Sequence, residues 1–107
     1  MKVRLIRNEQ IRRALVGRPS GERRLRVIIE LEGEVLIFEE AAFANLARAY
    51  HWVYDHPQRF ALELRYARLA EEQRKKGYAE HQLLETEKPD AEVQREIDAL
   101  IARAAEG

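Results

Sequence analysis

One stretch constrains this chain more than any other. Leu25, Val27, Ile29 and Leu31 alternate with Arg24, Arg26, Glu30 and Glu32; Ile28 alone breaks the rhythm, and the apolar run resumes at Val35-Leu36-Ile37-Phe38 after Glu32-Gly33-Glu34. Alternation of period two places one set of side chains on one face of a strand. A glycine between two acids supplies the positive φ that a tight hairpin turn needs. The stretch therefore predicts an antiparallel β-hairpin. A two-residue turn at 32–33 or at 33–34 leaves Leu36 and Phe38 on the face of Ile29 and Leu31, so the inner face survives uncertainty in register. Ile28, Val35 and Ile37 give the opposite face apolar character, which calls for a second cover.

The period changes at Ala41. Phe43, Leu46, Ala47, Tyr50, Val53 and Tyr54 recur at spacings of three and four, predicting a helix that Pro57 ends. Ile29 and Phe38 are expected to be buried against Phe43, Leu46 and Tyr50 of this helix. A second helix is expected from 58 to about 76, with Phe60, Leu64, Ala67 and Glu71 on one stripe, Leu62, Tyr66 and Leu69 on another, and Gly77 as its stop. Residues 78–89 show no clear period. Pro89-Asp90 then opens a third helix over 90–105, with Val93, Ile97, Leu100, Ile101 and Ala104 on one side. At the other end, Val3 and Leu5 read as a short strand. Asn8 caps an expected two-turn helix over 9–16, with Ile11, Ala14 and Leu15 on one face and Gly17 closing it. Residues 17–21 form a loop.

These elements make an α+β chain: a short N-terminal strand and helix, an antiparallel hairpin, and three helices packed on the small sheet. A length of 107 residues suits one domain, 1–107, with a basic strand-containing part (1–40) and a helical part (41–107). The chain has no cysteine, so disulfides and cysteine metal sites are excluded. No apolar run approaches the roughly 20 residues that span a membrane, and the charged opening does not suit a signal peptide. A soluble, cytoplasmic protein without a membrane partner is expected. A charge-rich, Cys-free chain in which asparagine occurs only at Asn8 and Asn45 points to a thermophilic bacterium, while the excess of arginine over lysine, 15 to 4, also fits a GC-rich genome.

A net charge of zero hides an asymmetry. Residues 1–27 carry nine basic and two acidic side chains, and the remainder carries the opposite excess. Arg12, Arg13, Arg18, Arg23, Arg24 and Arg26 are the candidate phosphate contacts of a nucleic-acid-binding regulator, with affinity from counterion release. The competing expectation is that this basic front pairs with acids of its own chain or a neighbour.

No residue is assigned a catalytic, metal-binding or cofactor role. His51 and Asp55 stand at i, i+4 with His56 beside them, but such spacing arises easily in a charged helix. The pairs Glu39-Glu40, Glu71-Glu72 and Glu85 with Glu87 read as solvated carboxylates, with nothing to push their pKa values apart. The glycines form no phosphate cradle, and Ser20 and Thr86 have no histidine at a suggestive position. Trp52 falls about 200° around its helix from Tyr50 and Tyr54, away from the apolar stripe. With Ile28, Val35 and Ile37 it forms the candidate interface. The reading that results is a non-catalytic interaction or assembly protein acting as a homo-oligomer, a dimer in the first instance. Its alternatives are the nucleic-acid-binding regulator and a small enzyme whose site follows no known motif.

Overall fold

A computed structural model describes residues 1–106. In chain order it contains β1 (Ile11–Gly17), β2 (Arg26–Leu31), β3 (Glu34–Glu39), α1 (Glu40–Asp55), β4 (Leu64–Arg68), β5 (His81–Glu85) and α2 (Asp90–Glu106), with short 3-10 turns at Asn8–Gln10 and Glu71–Gln73. The strands form two antiparallel sheets, β1-β2-β3 and β4-β5. The α+β reading holds, but the three-helix arrangement does not: the described residues form two helices and two sheets.

The hairpin forms as its alternation requires. Leu31 pairs with Glu34, which leaves Glu32 and Gly33 as the two-residue turn, and Gly33 adopts φ +82°. Val27 and Leu31 are buried, whereas Ile29, Leu36 and Phe38 are only half-buried. The ring of Phe38 meets Phe43 at the start of α1 with centroids 5.8 Å apart.

Residues 11–17 are the first correction. They form an edge strand that pairs with β2, with Ala14 opposite Ile29, Leu15 opposite Ile28 and Val16 opposite Val27. An isolated two-turn helix gains too few internal bonds to offset its nucleation cost, while the free edge of β2 offers a full ladder. A register shift between Ile11 and Arg13 breaks the period of two and hides the strand in the sequence. The expected strand at Val3-Leu5 joins no ladder either. The opening residues run past the end of α2, where Arg103 donates a hydrogen bond to the Met1 carbonyl, and Arg4 pairs with Glu34.

The second correction is the expected helix at 58–76. Four residues of its two apolar stripes, Phe60, Leu62, Leu64 and Tyr66, lie two apart and so share one face of an extended chain, while Ala67 and Leu69 fall on the other. Residues 64–68 pair with 81–85, Tyr66 opposite Leu83, and two further backbone bonds lengthen the ladder, Leu69 N–H to Glu80 O (2.8 Å) and Thr86 N–H to Glu63 O (3.0 Å). The connector closes through a turn in which Tyr78 N–H donates to Lys75 O at 3.0 Å, with Gly77 at φ +87°. Gly77 therefore serves a turn and ends no helix.

α1 and α2 match their periods, yet neither buries the face its period selects. α1 packs chiefly on β5 through Asn45 and its neighbours, and meets β2 and β3 at its start. The hydrophobic core is correspondingly small. Among the described residues, Val27, Leu31, Ala61 and Val93 are its buried apolar members. The Cα radius of gyration is 16.1 Å, against about 13 Å for a compact chain of this length. No described helix is long and apolar enough to cross a membrane.

Candidate interaction surfaces

The largest concavity follows from that packing. With α1 seated on β5 through Asn45, Leu46, Tyr50 and Tyr54 of its apolar stripe stay exposed, while Phe43 meets Phe38. Leu46 is 45% exposed, Tyr50 65% and Tyr54 74%, and the two tyrosine rings stack at 5.9 Å. The expected contact of Leu46 and Tyr50 with Ile29 and Phe38 is therefore replaced by a groove of about 850 Å³. Its floor is the α1 stripe, one wall is Phe60 to Leu64, and Ile97 of α2 stands at its rim. The lining is almost wholly apolar, with the His51 imidazole and the Tyr50 and Tyr54 hydroxyls as its polar side-chain groups.

α2 carries the matching surplus. Its start is held firmly. The single N–H of Arg59 Nε forks to both oxygens of Asp90 at 3.1 Å, Asp90 also accepts from the backbone N–H groups of Phe60 (3.0 Å) and Ala61 (3.4 Å), and Arg59 donates further to Glu85 at 2.9 Å. The hydrogen bond from Arg59 holds the Asp90 carboxyl below its usual range. Lys88 bridges Glu63 and Glu96, each at 3.0 Å. Its hydrogen bonds to Glu96 and Glu63 raise the Lys88 pKa, and its ammonium is the main reason Glu63 titrates low. Val93 is buried just beyond. Beyond it Ile97, Leu100 and Ile101 face solvent, with Leu100 46% and Ile101 61% exposed, and Ala104 is half-buried.

A buried polar contact joins α1 to β5. Asn45 Nδ2 donates to Gln82 Oε1 at 2.8 Å, Gln82 Nε2 donates to the Ala79 carbonyl at 2.9 Å, and Arg48 donates to Asn45 Oδ1. Periodicity could not announce this contact, since Asn45 reads as a polar interruption of a helix. Its only advance signal is that asparagine is so rare in the chain.

The other candidate interface residues lie apart from the groove. Val35 and Ile37 are exposed and Ile28 half-buried on the outer face of the three-stranded sheet, where Leu15 joins them across the β1 pairing. Trp52 lies on another flank of α1, half exposed, its ring 5.0 Å from that of His56. The four residues thus belong to two surfaces, and the groove between α1 and residues 60–64 was not among the sequence candidates.

The arginines of the basic front divide. Arg13 makes a two-pronged contact with Glu30 (2.7 and 2.8 Å), Arg12 meets Glu32 at 2.8 Å, and Arg26 meets Glu22 at 2.8 Å. The Arg13 bond holds Glu30 below the usual carboxylate range. Arg18 and Arg24 donate instead to the carbonyls of Arg23 and Gly77, and Arg18, Arg23 and Arg24 make no ion pair among the described residues. His51 approaches Asp55 only to 3.9 Å on an open surface, and His81 Nδ1 sits 2.8 Å from the Tyr66 hydroxyl. Among the described residues no three His, Asp or Glu side chains are grouped to hold a metal ion.

Compared with protein-family models, with curated proteins and with solved structures, the chain finds no match in any of the three.

Proposed function

We propose that this chain is a non-catalytic interaction module whose working form is a homo-oligomer, in the simplest case a two-fold dimer. The observation that carries the reading is its surface. The chain exposes 8923 Å², whereas a folded monomer of this mass exposes about 6,200 Å². The excess, about 2,700 Å², lies just above the roughly 1,000–2,500 Å² that one subunit of an obligate dimer buries. Much of that surface is large apolar side chains on the α1 stripe, the α2 stripe and the outer sheet face. Patches of this kind on soluble proteins mark interfaces. A Cys-free chain with no membrane-spanning helix suits an intracellular setting.

Light scattering or sedimentation at micromolar concentration tests the reading. A mass of at least twice 12.6 kDa is expected; a folded species of monomeric mass would refute it. The nucleic-acid alternative rests on Arg18, Arg23 and Arg24, which keep their charge unmatched while their neighbours pair with glutamates. Its test is binding of a DNA or RNA fragment at low salt, where phosphate contacts are strongest. Absence of binding there removes it.

A further inference from the structure

We propose that the apolar stripe of α2 closes the α1 groove of a second copy, and that the two chains do this reciprocally about a two-fold axis. The inference rests on the homo-oligomer reading and adds which surfaces meet. Three observations lead to it. First, α2 is fastened to its own chain at its start, through Asp90, Lys88 and Val93, and meets the opening residues at its end through Arg103, whereas Ile97, Leu100 and Ile101 between them are exposed. Second, the surfaces fit in length. The exposed run from Ile97 to Ile101 spans four residue steps, about 6 Å at helical rise, and lies within the span of the α1 stripe from Phe43 to Tyr54. Third, they are continuous, because Ile97 already stands at the rim of the groove in its own chain.

A second copy therefore meets one apolar surface formed by both helices. Its own α2 stripe places Leu100 and Ile101 over Leu46 and Tyr50, while its α1 groove receives the same residues in return. A two-fold operation makes each such seam twice, which doubles the area covered per contact. Packing α1 directly against α1 would leave Leu100 and Ile101 of both copies in water. The exchange covers both stripes and so accounts for a larger share of the excess surface. Helix laid in an apolar groove is also a common recognition mode for an amphipathic helix.

The absence of native cysteine makes the test clean. Chains carrying Leu46→Cys and Leu100→Cys are prepared unlabelled and with ¹⁵N, mixed, co-refolded and oxidised, and the cross-linked peptides are read by mass spectrometry. Linkage of position 46 to position 100 between a light and a heavy chain is expected. In parallel, Leu100→Glu alters a side chain that is exposed in the single chain, so the far-UV spectrum should not change. Dimer dissociation should rise by about a hundredfold or more, as for a residue central to an interface. Links only between two copies of position 46, links only within one chain, or a dimer unaffected by Leu100→Glu would overturn the exchange and leave the homo-oligomer standing. A folded monomer of unsubstituted chain would overturn both.

Discussion

Replacing Asn45 tests whether a polar contact or an apolar stripe fixes α1 in place. Asn45 and Gln82 are 6% and 9% exposed, and the bond between them measures 2.8 Å. In Asn45→Leu the Gln82 Oε1 atom stays buried without that donor. An orphaned buried acceptor costs about 1–3 kcal/mol. Arg48 also loses an acceptor, but it lies at the surface and can turn to water. Leucine is the better helix former by about 0.5 kcal/mol, which works in the opposite direction. Gln82→Met removes the same bond from the other side at nearly constant volume, and also deprives the Ala79 carbonyl of its donor. In the double variant neither group of the pair remains to be orphaned. Its loss should fall short of the summed single losses by about 1–2 kcal/mol, and the helix-propensity gain cancels in the cycle. Urea unfolding of all four proteins at one concentration keeps any contribution of assembly comparable, and equal m-values would show that the same surface is exposed in each. Strict additivity, or a single Asn45→Leu that stabilises, would refute the claim that this pair holds α1 on β5.

Leu31→Ala, at a position only 6% exposed, should cost about 2–5 kcal/mol in the same assay, and a loss under about 1 kcal/mol would mean the hairpin buries its other face. Gly33→Ala should cost about 1–2 kcal/mol through its φ of +82° alone, since a Cβ there meets nothing within 4 Å; an unchanged urea midpoint would show the turn is not of this form. Acid should weaken the fold through carboxylates that titrate low. Asp90, Glu63 and Glu30 have folded pKa values below their ordinary ones, so they bind protons less readily folded than unfolded. Their contribution is full above the unfolded value, about 4, and is lost as pH falls through the lower folded values. Urea midpoints followed down to about pH 2.5 should decline below that point, and Asp90→Asn should flatten the decline; an identical acid limb in the variant would sink the assignment.

Local pattern alone determined the hairpin, α1 and α2. Alternation around Gly33 selects one strand pairing, Pro57 stops the first helical period and Pro89 opens the second. Each of these elements depends on contacts close in sequence, so its signal is written in neighbouring residues. Residues 11–17 and 64–68 were settled otherwise. Their apolar residues fit a helix and a strand equally, and the choice went to whichever partner could complete a ladder: β2 for the first, and β5, more than ten residues further on, for the second. The groove is likewise a product of tertiary structure. Periodicity names the stripe of α1 but carries no information about what covers it. That was decided when Asn45, a polar residue on another side of the helix, found Gln82 on β5 and left Leu46, Tyr50 and Tyr54 in water. A buried amide must be paired wherever its partner lies, whereas an apolar stripe can be covered by any apolar surface, including one from another chain.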